Sequence, residues 1–355
     1  MENKPGRLTA RYLKALVVAR GRNVDAAAYA SSQRWLEGEQ IARILKAGVS
    51  ATNTGDTGFL HPVAQDFAAL IRPLTLIGRM QNFRRIPPNV NCITQNTGAV
   101  ASWLSEGAPL PLSALTIARE SLVPIRLAAI AVTTNELALL SDPNSESIIL
   151  ADLAAAVVER MDKSFADPEN KGSPEVQPRS ITYDAQKFVS SGSDIASIVA
   201  DLQLLANALN DGGSDLQNAT FVLNPRTATY LAGLRGTTGG PVFPGFGIRG
   251  GELLGLPALV SGSVVRTGSP QETFIALIDP SRVWLTESDR IELATSRTAD
   301  LVMDDAPAMN SVVPTSTSVV SMWSTESVAM RAAQFLNWKP VTNASASSVL
   351  TGVAY

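Results

Sequence analysis

Residues 81–121 restrict the possible folds of this chain more than any other stretch. Pro87, Pro88, Gly98, Gly107, Pro109 and Pro111 punctuate them, leaving only short β-friendly pieces, Val90 to Thr94 and Ala99 to Leu104. That is the pattern of a long hairpin. It offers few large apolar side chains, while ordering a loop costs roughly 1–2 kcal/mol per residue. Such a segment cannot offset that cost alone and is uncommon inside a compact monomer. Either it flaps, or a neighbouring subunit packs against it.

Composition bounds the remainder. The 355 residues are 45% hydrophobic and 17% charged, enough for one large or two ordinary globular domains. The charged fraction is below the usual ~25%, so much surface is expected to be covered in another way. One histidine (His61) and one cysteine (Cys92) exclude a disulfide framework, a Cys/His zinc site and any triad needing a second histidine. The longest charge-free stretches carry Ser, Thr, Asn or Pro, so none reads as a membrane span. The apolar run Ala15 to Ala19 is too short for a secretory signal, and a reducing cytoplasm is expected.

Charge is unevenly spread. Residues 1–50 hold nine Lys/Arg against four Asp/Glu, or +5; the remainder holds 20 against 28, or −8. Two short amphipathic helices are expected over residues 7–47, with Leu8, Tyr12, Leu16, then Trp35, Leu36, Ile41, Ile44 and Leu45 at helical spacing. Two such helices make no core alone. The spacer Gly48 to Gly58 follows them, which reads as a tethered arm, and a further element spans Pro62 to Met80, interrupted at Pro73.

After the hairpin, the alternating residues around Val123 to Val132 predict a strand buried on much of both faces. Asp142-Pro143 starts a helix in which Ile149, Leu153, Val157, Met161 and Phe165 recur every four residues until Asp167-Pro168. Residues 169–192 read as loop. Ser193 is the expected cap of a helix closed by Gly212-Gly213. Phe221 to Leu223 reads as a strand entering Asn224-Pro225, a cap and first-turn proline, with a short helix to about Leu234. Short strands are expected at Leu256 to Val260, Phe274 to Ile278, Val283 to Leu285 and Ile291 to Thr295. Thr325 to Trp338 has a helical composition.

Chemical motifs are weak. Gly245 to Gly250 matches GxGxxG, but Pro241 and Pro244 stand where the preceding strand belongs and Pro257 stops the helix that should follow. His61 has no partner pattern for general base work. Cys92 has no flanking cation to lower its thiol pKa. Asp300, Asp304 and Asp305 lack the spacing of a calcium loop and read as a solvated turn. The basic residues Arg7, Arg11 and Lys14 admit phosphate contact, docking on an acidic partner, or a merely solvated helix face.

Read in order, the elements of residues 62–355 resemble the major capsid protein of tailed bacteriophages, the Hong Kong 97 type. Ala101 to Gly107 is similar to the family's W-x-x-E-G segment, Thr133 to Leu137 to its strand-ending stretch, and Phe221 to Arg226 to its strand, N-P and short helix. Leu253 to Val260, Phe274 to Pro280 and Val283-Trp284 follow in the family's order. The resemblance implies an α+β Hong Kong 97-like capsid fold. Its parts would be an N-terminal arm (1–61), a connection (62–80), an E-loop (81–121), a P-domain (122–192) with spine helix 143–166, and a mainly A-domain region (193–315). P-domain return strands (316–340) and a C-terminal A-domain segment (341–355) complete it, which makes Thr325 to Trp338 a strand.

The implied function is a major capsid protein, not an enzyme, with no cofactor or metal. Its copies would assemble in the host cytoplasm into hexamers and pentamers of an icosahedral head, procapsid and then mature capsid, enclosing double-stranded DNA in the virion. The E-loop, through Trp103, Glu106, Arg84 and Arg85, would lie across a neighbour in heterologous contacts that close into rings. Arg7, Arg11 and Lys14 would belong to an internal arm. Implied partners are a separate scaffolding protein, a portal at one vertex, packaged DNA by non-specific contact and a decoration protein, with no membrane. The family's isopeptide cross-link needs an E-loop lysine, and residues 81–121 contain none, so covalent chainmail is not expected. Some sixty residues precede Pro62, fewer than a fused scaffolding segment needs, and an uncleaved arm is expected. Two other readings stay open: an encapsulin-type cellular compartment of the same fold, and a nucleotide-binding enzyme using Gly245 to Gly250.

Overall fold

The computed structural model describes residues 5–33, 35–50, 61–88, 90–97, 103, 116–136, 143–237, 239–266, 271–302, 319–341 and 345–355. The helices are α1 (Arg7–Val18), α2 (Asn23–Ser32), α3 (Gly38–Ser50), α4 (His61–Ile71), α5 (Leu76–Arg79), α6 (Pro143–Ala166), α7 (Ile195–Asp211) and α8 (Pro225–Gly233). The strands are β1 (Arg84–Ile86), β2 (Asn91–Thr97), β3 (Thr116–Ser121), β4 (Ile125–Thr134), β5 (Gln186–Val189), β6 (Thr220–Leu223), β7 (Phe246–Gly247) and β8 (Gly250–Leu253). They continue with β9 (Leu256–Val260), β10 (Thr273–Ile278), β11 (Val283–Ser296), β12 (Asp300–Val302), β13 (Val319–Ser321), β14 (Ser327–Pro340) and β15 (Ser347–Val353). The chain forms two compact units, residues 1–74, 126–158 and 289–335, and residues 75–125, 159–288 and 336–355.

In the first unit, α1, α2 and α3 build a core around Tyr12, Ala15, Leu16, Ala26, Ile41 and Leu45, with Val63 of α4 buried among them and Leu293 of β11 packed against it. This corrects the expectation of two short helices without a core: three helices meet, because the alanine face of α2 lets its neighbours close in. The N-terminus of α1 has no cap of its own at Gly6. Asp66 of α4 supplies one, accepting from Gly6 N at 2.9 Å and Thr9 N at 3.0 Å, so two orphan amides of the first turn are satisfied from sixty residues away. At the other end, Arg297 donates to Val17 O at 2.8 Å, a cation on the negative end of the helix. The strand order here is β11-β14-β4. Along β4 exposed residues alternate with half-buried ones, so this edge strand half-covers one face only, against the expectation of burial on both.

The second unit is built on a seven-stranded sheet of order β5-β15-β10-β6-β9-β8-β7. Its central strands β10 and β6 are buried at every residue. Ile198, Leu202, Leu205 and Leu209 of α7 pack with Phe221, Leu223, Ile275 and Leu277 into one core. The cap of α7 is Asp194, accepting from Ser197 N at 3.2 Å, one residue beyond the expected Ser193. Arg282 donates to Gly212 O at 2.6 Å and so seals the other end of α7.

Asn224-Pro225 works as anticipated and does more. The Asn224 side chain accepts from Arg226 N at 3.0 Å, capping α8, and donates to Val264 O at 2.9 Å, tying down the loop after β9. Helix α6 covers Pro143–Ala166, as its four-residue apolar recurrence predicts. At its end Phe165 meets Trp338 edge to face at 5.3 Å, and Trp338 Nε1 donates to Arg179 O at 2.8 Å. Trp338 lies in β14, so the segment around Thr325 to Trp338 is strand from Ser327 onward.

Candidate functional site: assembly surfaces

The long hairpin exists as β2 and β3, paired antiparallel from Asn91 opposite Ser121, with a register shift between Gln95 and Thr97. Beyond the paired strands, Trp103 is 104% exposed. An indole without any cover is an unusual use of a large apolar surface in a monomer. Glu106 lies outside the described residues, as do Asp142, Leu137, Asp304, Asp305 and most of the spacer from Gly48 to Gly58. The side chains of His61 and Cys92 are likewise outside them; Asp300 begins β12.

Arg84 and Arg85 are exposed but already engaged within the subunit. Strand β1 lies parallel on β11, Arg84 Nε donates to Ser281 O at 2.6 Å and its guanidinium stands over Trp284, and Arg85 Nη1 reaches Glu287 at 3.3 Å. They fasten the root of the hairpin.

The basic N-terminal residues are also internally engaged. Arg11 pairs with Glu37 at side-chain exposures of only 13% and 12%, and stacks over Trp35 at 5.4 Å to the ring centroid; Arg7 Nε is 3.7 Å from the same carboxylate. Lys14 is buried and has a partner of its own. The reading of these three as a free basic face is therefore corrected: Glu37 lies too far along the chain for helical spacing to reveal the pairing.

Gly245 to Gly250 forms no phosphate loop. Strands β7 and β8 pair as a tight hairpin and β8 turns straight into β9. Gly250 (φ 104°) and Gly251 (φ 144°) are needed because a Cβ would stand 2.4 Å from Ala258 O and 2.2 Å from Gly245 O.

One polar site escaped the sequence reading. Asp162 of α6, almost fully buried, accepts from Leu76 N at 2.8 Å and Ser261 Oγ at 3.2 Å, joining α6, the start of α5 and the segment after β9. Burial pushes its carboxyl up to about 6, against the two hydrogen bonds and the Arg79 charge. It follows Met161 directly and precedes Phe165 by three residues, beside the apolar stripe of α6, and only the fold supplies the donors. Among the described residues no cluster of His, Cys, Asp or Glu can hold a metal ion, and no helix is long and apolar enough to cross a membrane.

The phage capsid family profile matches residues 64–346. This chain belongs to the phage capsid family. The capsid polyprotein of Pseudomonas phage PAJU2 is 33% identical over 366 aligned positions, covering 99% of this chain and 54% of that protein. The chain thus spans about half the length of that polyprotein. The major capsid protein of Klebsiella oxytoca phage phiKO2 is 23% identical, covering 83% of this chain and 69% of that one. Among solved structures, a chain of Mycobacterium phage Ogopogo superposes with a TM-score of 0.54 at 16% identity, covering 78% of this chain and 91% of its own. A capsid chain of a native GTA particle gives 0.51 at 16% identity, over 77% and 89%. The fold class of this family member is the α+β Hong Kong 97-like fold.

Proposed function

We propose that this chain is a major capsid protein whose copies close into hexamers and pentamers of an icosahedral shell around double-stranded DNA. The observation that carries the reading is the hairpin of β2 and β3 with its uncovered Trp103, on a chain matched by the capsid family from residue 64 to 346. An exposed indole and hairpin edges with unpaired backbone groups gain partners when laid across a neighbour. Each heterologous contact would bury on the order of 1,200–2,000 Å² or more. The role is structural, within the virion. The three-helix module of residues 7–50 serves assembly on the inner side of the shell. The hairpin residues Trp103, Glu106, Arg84 and Arg85 border the intersubunit contact, the two arginines by fixing the root of the hairpin. A separate scaffolding protein, a portal at one vertex, a decoration protein and non-specific contact with packaged DNA complete the partners.

Electron microscopy and sedimentation of the expressed protein, alone and with its assembly partners, test the reading. Rings and closed shells are the expected result; a monodisperse monomer under every condition overturns it. Nucleic acid within purified particles separates a virus head from a cellular compartment of the same fold.

A further inference from the structure

The first unit contains a cleft of about 840 Å³ that the assembly reading does not use. It lies beside the end of α1, the end of β11 and the turn that precedes β14, and both Arg20 and Arg297 line it. Arg20 holds a left-handed conformation (φ 55°) just past α1, where glycine would be more comfortable by about 1 kcal/mol. Among the described residues no carboxylate pairs with Arg20 or Arg297. Arg297 spends Nη2 on Val17 O, and its Nε is buried with no acceptor. Burial, and then the neighbouring Arg20 charge, lower the Arg297 pKa. An incoming anion would relieve both the idle donor and the like-charge repulsion.

Guanidinium forks suit carboxylates and phosphates equally, so the rest of the lining decides. Val17 and Met322 give an apolar floor and Trp323, 78% exposed, an apolar wall. Glu326 also lines the cleft. A continuous polyanion such as duplex DNA would set phosphates against Glu326 and waste the apolar surface. A single carboxylate beside an apolar side chain uses the two arginines and the apolar surface, and sets one charge rather than a row of them near Glu326.

We propose that this cleft receives an acidic, apolar turn from a second copy of the same chain. Residues 173–177 form such a turn: Ser173 and Gln177 exchange backbone hydrogen bonds at 2.9 Å, and Asn170 Oδ1 accepts from Gln177 Nε2 at 3.1 Å. Glu175 at its tip is exposed with no cationic partner among the described residues, and the adjacent Val176 is 72% exposed. The turn is pre-organised, which lowers the ordering cost of docking. The pairing is complementary in charge, two guanidinium groups in the cleft against one carboxylate on the turn. The inference rests on the shell-forming reading, since shells bring copies together in fixed register.

Charge exchange in the full chain tests it, with the yield of sedimenting shells as the readout. Arg20→Glu and Glu175→Lys should each reduce the yield several-fold with unchanged thermal unfolding, and the two together should restore at least half. Should either reversal lower the melting temperature, Arg20→Gln and Glu175→Gln replace it, each expected to give a smaller loss. Wild-type yield from both single variants, or a double variant no better than the worse single one, overturns the pairing. Wild-type protein that forms no shells would instead overturn the assembly reading itself.

Discussion

Asp162 shows what a single residue does to this fold. Its carboxylate is stripped of water to join three segments, and its pKa stands near 6 against an ordinary 3.8. The folded protein therefore binds the proton more tightly than the unfolded chain does, so this group favours folding in acid. Its contribution is fully present below about pH 4, declines as pH rises to about 6 and is absent above, roughly 3 kcal/mol across the window. Asp162→Asn keeps an oxygen for Leu76 N and offers an amide to Ser261. We expect the difference in melting temperature between wild type and this variant to grow in the variant's favour from pH 4 to pH 6 and then level off. A difference independent of pH would show that the carboxyl titrates elsewhere. The Asn224 corner is the opposite kind of residue, a capping side chain whose role is readable locally and whose second bond, to Val264 O, is not.

At the scale of elements, the hairpin and the N-terminal helices behave differently. Asn91 and Ser121 face each other across the ladder, so their Cα atoms are about 5 Å apart. Replacing residues 91–121 with a two-residue glycine linker should leave a subunit that unfolds at nearly the wild-type temperature yet forms no shells. A large drop in melting temperature would mean the hairpin belongs to the subunit's own core. Helices α1 to α3, by contrast, are a packed module. Arg11→Glu places a second carboxylate against Glu37 where little water reaches, which should cost about 2 kcal/mol or more. Glu37→Arg in the same chain should recover most of it, by thermal unfolding of the full protein. An Arg11→Glu variant as stable as wild type would show the pair to be a surface contact.

For the whole molecule, the absence of lysine from residues 81–121 removes the amine that an isopeptide cross-link requires. Particles boiled in denaturing detergent should yield one band near 37.5 kDa, and a ladder of covalent oligomers would contradict this. The α+β class, the α6 helix from Pro143 to Ala166, the N-P corner and a hairpin within residues 81–121 were legible in the chain, because each depends on periodicity, capping or turn chemistry within a few residues, though the second strand is Thr116–Ser121 and not Ala99 to Leu104. The strand at Ser327–Pro340 follows from the family resemblance and not from its local composition, which favours a helix. Long-range partners were not legible. Asp66 caps α1, Glu37 neutralises Arg11, Arg297 seals α1 and Asp162 joins α6 to α5. Each pairing joins a charged side chain to a backbone group or an opposite charge far along the chain, in a partly or fully buried setting, and its strength comes from exclusion of water. That exclusion arises only once segments distant in the chain are packed together.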